Sequence, residues 1–189
     1  MKADNHYEVA FDAYLRERGA ATLPIVEARR SYLDEDSVKS PDFVVVAPSE
    51  ARLVVDVKGR KFGGSTEHPR RIWQNWCLRD DVTSLESWTE HFGVGFRGIL
   101  AFVYHLAPEI AIAPFTPDVF VYRDSRYLVR GVDVALYRSA MRTRSPRWST
   151  VHLSTSAFRA AVKPFSYFLA PPCNRNELSA DFPYSADRT

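Results

Sequence analysis

Two short apolar segments separated by a tight turn are the feature of this chain that most restricts its fold. Residues 42–47 and 52–58 are rich in valine, and Pro48 lies between them. β-Branched residues bounded by turn formers predict two antiparallel strands joined as a hairpin. Because side chains alternate along a strand, Asp56 and Lys58 share one face of the second strand. An acid and a base therefore stand where valine or isoleucine would pack better.

The register of this hairpin suggests why those charges are there. A tight turn that pairs Val46 with Arg52 places Asp42 opposite Asp56. Two unpaired carboxylates so close would repel, and a divalent cation between them would remove the repulsion. Oxygen ligands completed by water suit Mg²⁺ or Mn²⁺. Lys58 would orient or deprotonate a metal-bound water, or offset charge that builds on a phosphorane. The pattern therefore predicts a metal-dependent phosphodiesterase site.

A simpler interpretation needs no metal. Asp42 would cap the start of its strand, and Asp56 and Lys58 would form an ion pair at a solvated strand end. The apolar strands on both sides, and an acid on the helix upstream, favour the metal site.

The remaining pattern predicts a single α/β domain with a mixed sheet. A helix is expected from about 5 to 18, since the residues at 7, 10, 11, 14 and 15 form one apolar stripe. A weak strand near 23–28 precedes the hairpin. A second helix over 79–93, a buried strand at 98–104, another hairpin and two short helices follow. The nuclease-like domain should cover 1–170, with a core at about 5–105 and a C-terminal α/β extension at about 106–170, and a polar tail should cover 171–189.

Composition excludes several other classes of protein. The chain has 189 residues, 46% of them apolar and 25% charged, as in ordinary globular domains. Its start lacks a signal-peptide pattern, and its apolar runs are too short to cross a membrane. Cys77 and Cys173 show no disulfide or zinc spacing. We therefore expect a cytoplasmic protein by default.

Charge is unevenly distributed along the chain. Residues 134–176 contain no Asp or Glu and seven Lys or Arg, although the whole chain has a net charge of only +2. Such a segment suits a polyanion, because neutralised phosphates release their counterions. A solvated, arginine-rich surface is the alternative. Within the segment, Arg144 and Arg147, followed by Trp148, are the best candidates for a phosphate clamp.

The hairpin residues also resemble a known family. Pro41-Asp42 followed by Asp56-Val57-Lys58 at the end of the next strand resembles the PD-(D/E)xK nuclease superfamily, which includes restriction endonucleases and Holliday-junction resolvases. The resemblance implies a restriction-endonuclease-like αβββαβ core with a mixed central sheet flanked by helices. It also implies that Asp42 and Asp56 bind metal and that Lys58 is catalytic. The stretch HYEVAFD additionally resembles the bacterial HYExAFE family, with Asp12 in place of the final Glu.

Further site residues follow from the chain and from the resemblance. The backbone carbonyl of Val57 is a candidate metal ligand, and the resemblance adds Glu8, which alternatively completes a capping box with Asn5. His6 would contact a phosphate or assist the metal, or would be structural. The resemblance also makes Gln74 a candidate equivalent of a glutamine found after the motif lysine in several members.

Nucleic acid, most naturally DNA, is the expected partner. Trp73 and Trp76 would form a base-stacking platform, or would anchor their loop to the core. Many nucleases of this fold act as dimers, so a homodimer is left open. The chain is thus expected to hydrolyse DNA, including branched or damaged forms. The alternatives are a non-cleaving nucleic-acid-binding module and a protein-binding domain. The basic residues expected to contact nucleic acid are Arg60, Lys61, Arg70, Arg71, Arg142, Arg144 and Arg147.

Overall fold

A computed structural model describes residues 5–25, 31–33, 36–63, 73–113 and 115–171. The predicted tail beyond 171, Arg70, Arg71 and Cys173 lie outside these ranges. The helices are α1 (His6–Glu17), α2 (Arg79–Phe92), α3 (Val134–Ala140), α4 (Thr155–Ala161) and α5 (Ser166–Leu169). The strands are β1 (Ala21–Pro24), β2 (Ser31–Leu33), β3 (Asp36–Val38), β4 (Phe43–Val46), β5 (Arg52–Phe62), β6 (Cys77–Leu78), β7 (Phe96–Leu106), β8 (Val119–Tyr122), β9 (Ser125–Asp133), β10 (Arg142–Ser145), β11 (Thr150–His152) and β12 (Lys163–Pro164).

The central sheet is mixed, as the fold class predicted. Its strand order is β1-β4-β5-β7-β9-β12, and β8 pairs with the outer part of β9. Strands β5 and β7 are parallel, whereas the other neighbours are antiparallel. Helix α2 makes the crossover between β5 and β7, as a parallel pair requires. The order α1, β1, β4, β5, α2, β7 is the expected αβββαβ core, and β2 and β3 form a separate pair.

Helices cover both faces of the central sheet. Helices α1 and α5 pack with Phe43, Val45, Val55 and Val57 on one face. Helices α2, α3 and α4 pack on the other face, where Val54 begins the stretch of β5 that carries Asp56 and Lys58. The α1 face is therefore apolar along β5, whereas the α2 face contains charge.

Helix α1 matches its prediction closely. The Asn5 side chain accepts a hydrogen bond from the Tyr7 amide, and Gly19 follows the end of the helix with a φ of +71°. The Tyr7 ring packs where a Cβ on Gly59 would stand, only 2.2 Å from the nearest ring atom. Only glycine therefore permits α1 to approach β5 so closely at this point.

Three elements differ from expectation in extent. Strand β5 continues to Phe62, four residues beyond the predicted end, because β7 pairs with it along its whole length. Strand β1 covers Ala21–Pro24 rather than 23–28. Strand β6 pairs with β11, which pairs with β10, to form a small second sheet. None of the described helices is both long enough and apolar enough to span a lipid bilayer.

Candidate active site

The hairpin has the register that the sequence predicted. Val46 lies opposite Arg52, and Val44 lies opposite Val54. The Asp42 amide donates to the Val55 carbonyl at 3.0 Å. The Asp42 Oδ2 atom accepts from the amide of Val57 at 2.5 Å. Asp42 is therefore fixed to the residues on either side of Asp56.

Asp56 is almost completely buried and is held by two lysines. Its exposed fraction is 2%. Its Oδ2 atom forms an ion pair with the Lys58 ammonium, and its Oδ1 atom lies 3.4 Å from the Lys39 Nζ atom. Both partners of the predicted Asp56–Lys58 pair thus meet, but they do so in the interior rather than at a solvated strand end.

Asp81 on α2 is a third carboxylate of the site, and the sequence prediction did not include it. Its Oδ1 atom lies 2.9 Å from Lys39 Nζ, and its Oδ2 atom lies 2.9 Å from Lys58 Nζ. Asp81 Oδ2 also accepts from the Leu78 amide at 2.9 Å, which fixes the carboxylate at the start of the helix. Asp56, Lys58, Asp81 and Lys39 therefore form a closed ring of ion pairs between hairpin and helix.

The position of Lys39 is the second finding beyond the prediction. Its backbone amide donates to Ser84 Oγ, and its carbonyl accepts from Trp88 Nε1. Both partners belong to α2, so the helix fixes the backbone from which the ammonium group extends between Asp56 and Asp81.

Electrostatics in the ring follow from burial and from these pairs. Burial raises the pKa of Asp56, although Lys58 opposes the shift. Burial also acts to raise the pKa of Asp81, but Lys58 and Lys39 outweigh it and the pKa is lowered. For Lys58 and Lys39 burial acts to lower the pKa, but the Asp56 and Asp81 carboxylates raise it. Both lysines are therefore ammonium ions in this state.

Two predicted accessory residues lie apart from this ring. Glu8 is buried, and one of its oxygens accepts a hydrogen bond from the Asn5 side-chain amide. His6 is exposed, and its Nδ1 lies 3.0 Å from the Tyr127 hydroxyl beside His105. Within the described ranges, no three His, Cys, Asp or Glu side chains are grouped closely enough to hold one ion. The structure thus does not bring Glu8 together with Asp42 and Asp56.

The two tryptophans of the loop before β6 make different contacts. Trp73 packs against Phe62 and Tyr104, with ring centres 4.3 Å and 4.9 Å apart, and so anchors the loop to the core. Gln74 lies on this loop rather than on α2. Its side chain is exposed, and its backbone carbonyl accepts from the Tyr104 hydroxyl. Trp76 instead contacts arginine side chains.

The predicted nucleic-acid contacts fall into two groups. Arg60 is half-buried, donates to the carbonyls of Gly59 and Trp76, and is held in place. Burial lowers the pKa of its guanidinium. The other basic candidates within the described ranges are exposed at the surface: Lys61, Arg142, Arg144 and Arg147.

One of the two site residues that the sequence prediction missed could have been found from the sequence. Asp81 stands four residues before Leu85 and seven before Trp88, which places it on the buried stripe of α2. Lys39 had no comparable signal, because its place depends on how α2 packs against the hairpin.

Comparison with known proteins finds similarity among solved structures. No family model matches the chain, so the HYExAFE resemblance gains no support, and no curated protein matches. The chain is similar to Hjc, a Holliday junction resolvase from the archaeal hyperthermophile Archaeoglobus fulgidus, with a TM-score of 0.48 and 17% sequence identity. The similarity covers 82% of this chain and 91% of that one. A likeness of this size leaves function to be inferred from the site itself.

Proposed function

We propose that this protein is a divalent-metal-dependent phosphodiesterase that hydrolyses DNA. The observation that carries the proposal is the buried ring of Asp56, Lys58, Asp81 and Lys39, with Asp42 fixed beside it. Buried ion pairs seldom add stability, because desolvation offsets their attraction. Clustered buried charges with shifted pKa values are instead typical of catalytic sites.

The donor atoms at the hairpin suit a small, hard cation. Asp42 and Asp56 are both at most 4% exposed, and the carbonyl of Val57 lies next to Asp56 along the chain. Magnesium sites commonly use one or two carboxylates, with water and substrate phosphate completing the shell. Asp42 and Asp56 would supply two such carboxylates. Mg²⁺ or Mn²⁺ is thus the proposed ion.

A bound divalent ion would supply Lewis-acid activation of the phosphate and of the attacking water. The residues of the chain then have separate tasks. Asp42 and Asp56 would hold the ion. Lys58 presents an ammonium group that stabilises negative charge on the phosphate oxygens, because in this state it carries no lone pair with which to accept a proton. Asp81 orients Lys58 from the start of α2.

Lys39 acts as an internal counter-ion in this proposal. The carboxylates of Asp56, Asp81 and Asp42 all act to raise the pKa of Lys39, so its ammonium group lies in the combined field of the three. A divalent ion bound by Asp56 would therefore be repelled by Lys39. The same observation favours the second candidate function, a nucleic-acid-binding module that does not cleave, because both oxygens of Asp56 already have a cationic partner.

A cleavage assay tests the proposal. Wild-type protein and Asp56→Ala are incubated with labelled single-stranded, duplex and branched DNA, with Mn²⁺, Mg²⁺ or EDTA. We expect cleavage that requires metal and disappears in Asp56→Ala. Asp124→Ala, which changes an exposed turn aspartate, is the matched control and should cleave normally. Salt-sensitive DNA binding without cleavage would instead support the non-cleaving module.

Substrate form and assembly belong to the same proposal. The expected preference is for branched or damaged DNA, and comparison of the three substrates in the assay measures it. If both strands of a duplex are cut together, a homodimer would supply the second site. Light scattering coupled to gel filtration then gives the assembly state.

A further inference from the structure

A groove on the small sheet of β6, β10 and β11 lies beside the candidate active site. Its volume is about 510 Å³, and its lining residues are Trp76, Leu78, Arg144, Ser145, Trp148 and Thr150. That volume is in the range of pockets that bind small organic groups. The groove combines two indole rings and one guanidinium group, so its surface is both aromatic and basic.

The aromatic side chains of the groove are placed for stacking. Trp148 is 65% exposed, although a tryptophan that merely fills the core would be covered. The Arg147 guanidinium lies 5.2 Å from the Trp148 ring centre. Arg144 and Arg60 lie 4.9 Å and 4.2 Å from the Trp76 ring centre. Nucleobases stack on indole rings and on guanidinium planes alike.

The charge around the groove favours an anionic partner. Arg142, Arg144 and Arg147 are exposed, and no carboxylate in the described part of the chain forms an ion pair with any of them. The whole segment 134–176 contains no acidic residue. An aromatic groove rimmed by exposed arginines is complementary to a nucleic-acid strand, whose phosphates alternate with flat bases.

The groove is also connected directly to the ion-pair ring. Leu78 lies in its floor, and the Leu78 amide donates to Asp81 Oδ2 at 2.9 Å. Arg60, whose guanidinium contacts Trp76, follows Lys58 by two residues on β5, a distance of about 7 Å along the strand. A strand whose phosphate reached Lys58 would therefore bring a neighbouring base to the groove.

We propose that the groove between Trp76 and Trp148 binds an unpaired nucleobase next to the phosphate that is cut. A base within a duplex has its faces covered by its neighbours, so it cannot stack on these indoles without leaving the helix. The proposal rests on the proposed function for the position of the cut, but not for the binding. It implies a preference for single-stranded DNA or for the unpaired bases at a branch.

Binding in EDTA tests the groove separately from cleavage. Fluorescence anisotropy compares a labelled oligothymidylate with an abasic oligomer that has the same number of phosphates. Wild-type protein should bind the oligothymidylate about tenfold more tightly, from the usual contribution of one stacked base. Trp148→Ala should remove most of this ratio, and Trp148→Phe should keep it.

Two control variants separate stacking from charge and from general surface effects. Phe115→Ala removes an exposed aromatic ring outside the groove and should leave both affinities unchanged. Arg142→Ala should weaken the binding of both oligomers by the same factor and reduce the salt dependence of binding. Equal wild-type affinity for the two oligomers, an unchanged ratio in Trp148→Ala, or no binding of either oligomer would overturn the inference.

The outcomes also distinguish this inference from the phosphodiesterase proposal. A base preference without metal-dependent cleavage would keep the groove and reject the phosphodiesterase. Cleavage without a base preference would reject the groove inference and keep the phosphodiesterase proposal.

Discussion

Two buried charge networks in this molecule differ in how their carboxylates are held. Asp56 belongs to a ring in which it pairs with the ammonium groups of Lys58 and Lys39. Asp118, on the other side of the sheet, is equally buried but accepts from the amide and the hydroxyl of Ser166, at 2.8 Å and 3.0 Å. Asp118 also lies 3.5 Å from the Arg18 guanidinium. The ion-pair partners of Asp56 are therefore side chains, whereas Asp118 is held by a backbone amide as well as by side chains.

The Asp118 network is explained by the fold alone. Asp118 ties the segment before β8 to the start of α5, and its backbone carbonyl accepts from Val129 on β9. Arg130, which is 3% exposed, donates to two backbone carbonyls nearby. Each group completes a hydrogen bond that the chain would otherwise lack in its interior.

The Asp56 network has no such explanation. Asp81 caps α2 through the Leu78 amide, whereas the ion-pair partners of Asp56 are the side chains of Lys58 and Lys39. Replacing a whole buried ion pair by apolar residues of similar size is often neutral or stabilising, whereas removing one partner alone leaves an unpaired buried charge. Charges that the fold does not need are the ones to expect in catalysis.

The largest expected effect separates the two networks by activity. Asp56→Asn should reduce metal-dependent DNA cleavage about 10³-fold, because Lewis-acid catalysis by a bound ion contributes several kcal/mol. Asp118→Asn, assayed at low temperature where it remains folded, should cleave at close to the wild-type rate. Single-turnover rates with labelled DNA measure both. Similar losses in the two variants would mean that buried charge at either place serves only folding.

The second prediction reverses the comparison and concerns stability. Asp118→Asn should lower the free energy of unfolding by about 2–3 kcal/mol, since an amide cannot accept from Ser166 and Arg18 as a carboxylate does. Urea unfolding followed by circular dichroism measures the loss. Asp124→Asn, the same change at an exposed turn, is the control and should alter stability by less than about 0.5 kcal/mol. A loss as small as that of the control would remove the structural role assigned to Asp118.

The comparison also shows what the sequence can and cannot reveal. Valine-rich strands and a tight turn were sufficient to predict the hairpin register, because shifting the pairing by one residue would move every side chain to the opposite face. Asp42, Asp56 and Lys58 were predicted as site residues from that register. All three lie on a single local motif, whose geometry needs no knowledge of the rest of the fold.

Contacts between distant elements could not be predicted, because they depend on how the rest of the chain folds. Lys39 and Asp81 are 42 residues apart, and they meet only because α2 packs across the hairpin. The groove at Trp76 and Trp148 likewise depends on the pairing of β6 with β11, which no local sequence pattern predicts. Two residues of β6 are too few for a periodicity to be visible in the sequence.

A third prediction tests whether Lys39 competes with the metal. Lys39→Met should bind Mn²⁺ about tenfold more tightly than wild type, because a unit charge 3.4 Å from Asp56 is removed. Isothermal titration calorimetry without DNA measures the change. Lys61→Met removes an exposed lysine from β5, the strand that carries Asp56, and should have little effect on Mn²⁺ binding. Weaker Mn²⁺ binding in Lys39→Met would show that Lys39 supports the carboxylates instead of competing for them.

The smallest expected effect concerns the thiol on the α2 face. Burial raises the pKa of Cys77 to about 12, so almost none of it is thiolate at neutral pH. In a Cys173→Ser background, iodoacetamide should modify native Cys77 at least about 100-fold more slowly than the urea-unfolded chain, as followed by mass spectrometry. Asp56→Asn should leave this protection in place, because the ring is predicted to serve chemistry rather than packing. Rapid modification in that variant alone would mean that the ion pairs hold α2 against the sheet, and the contrast with Asp118 would then disappear.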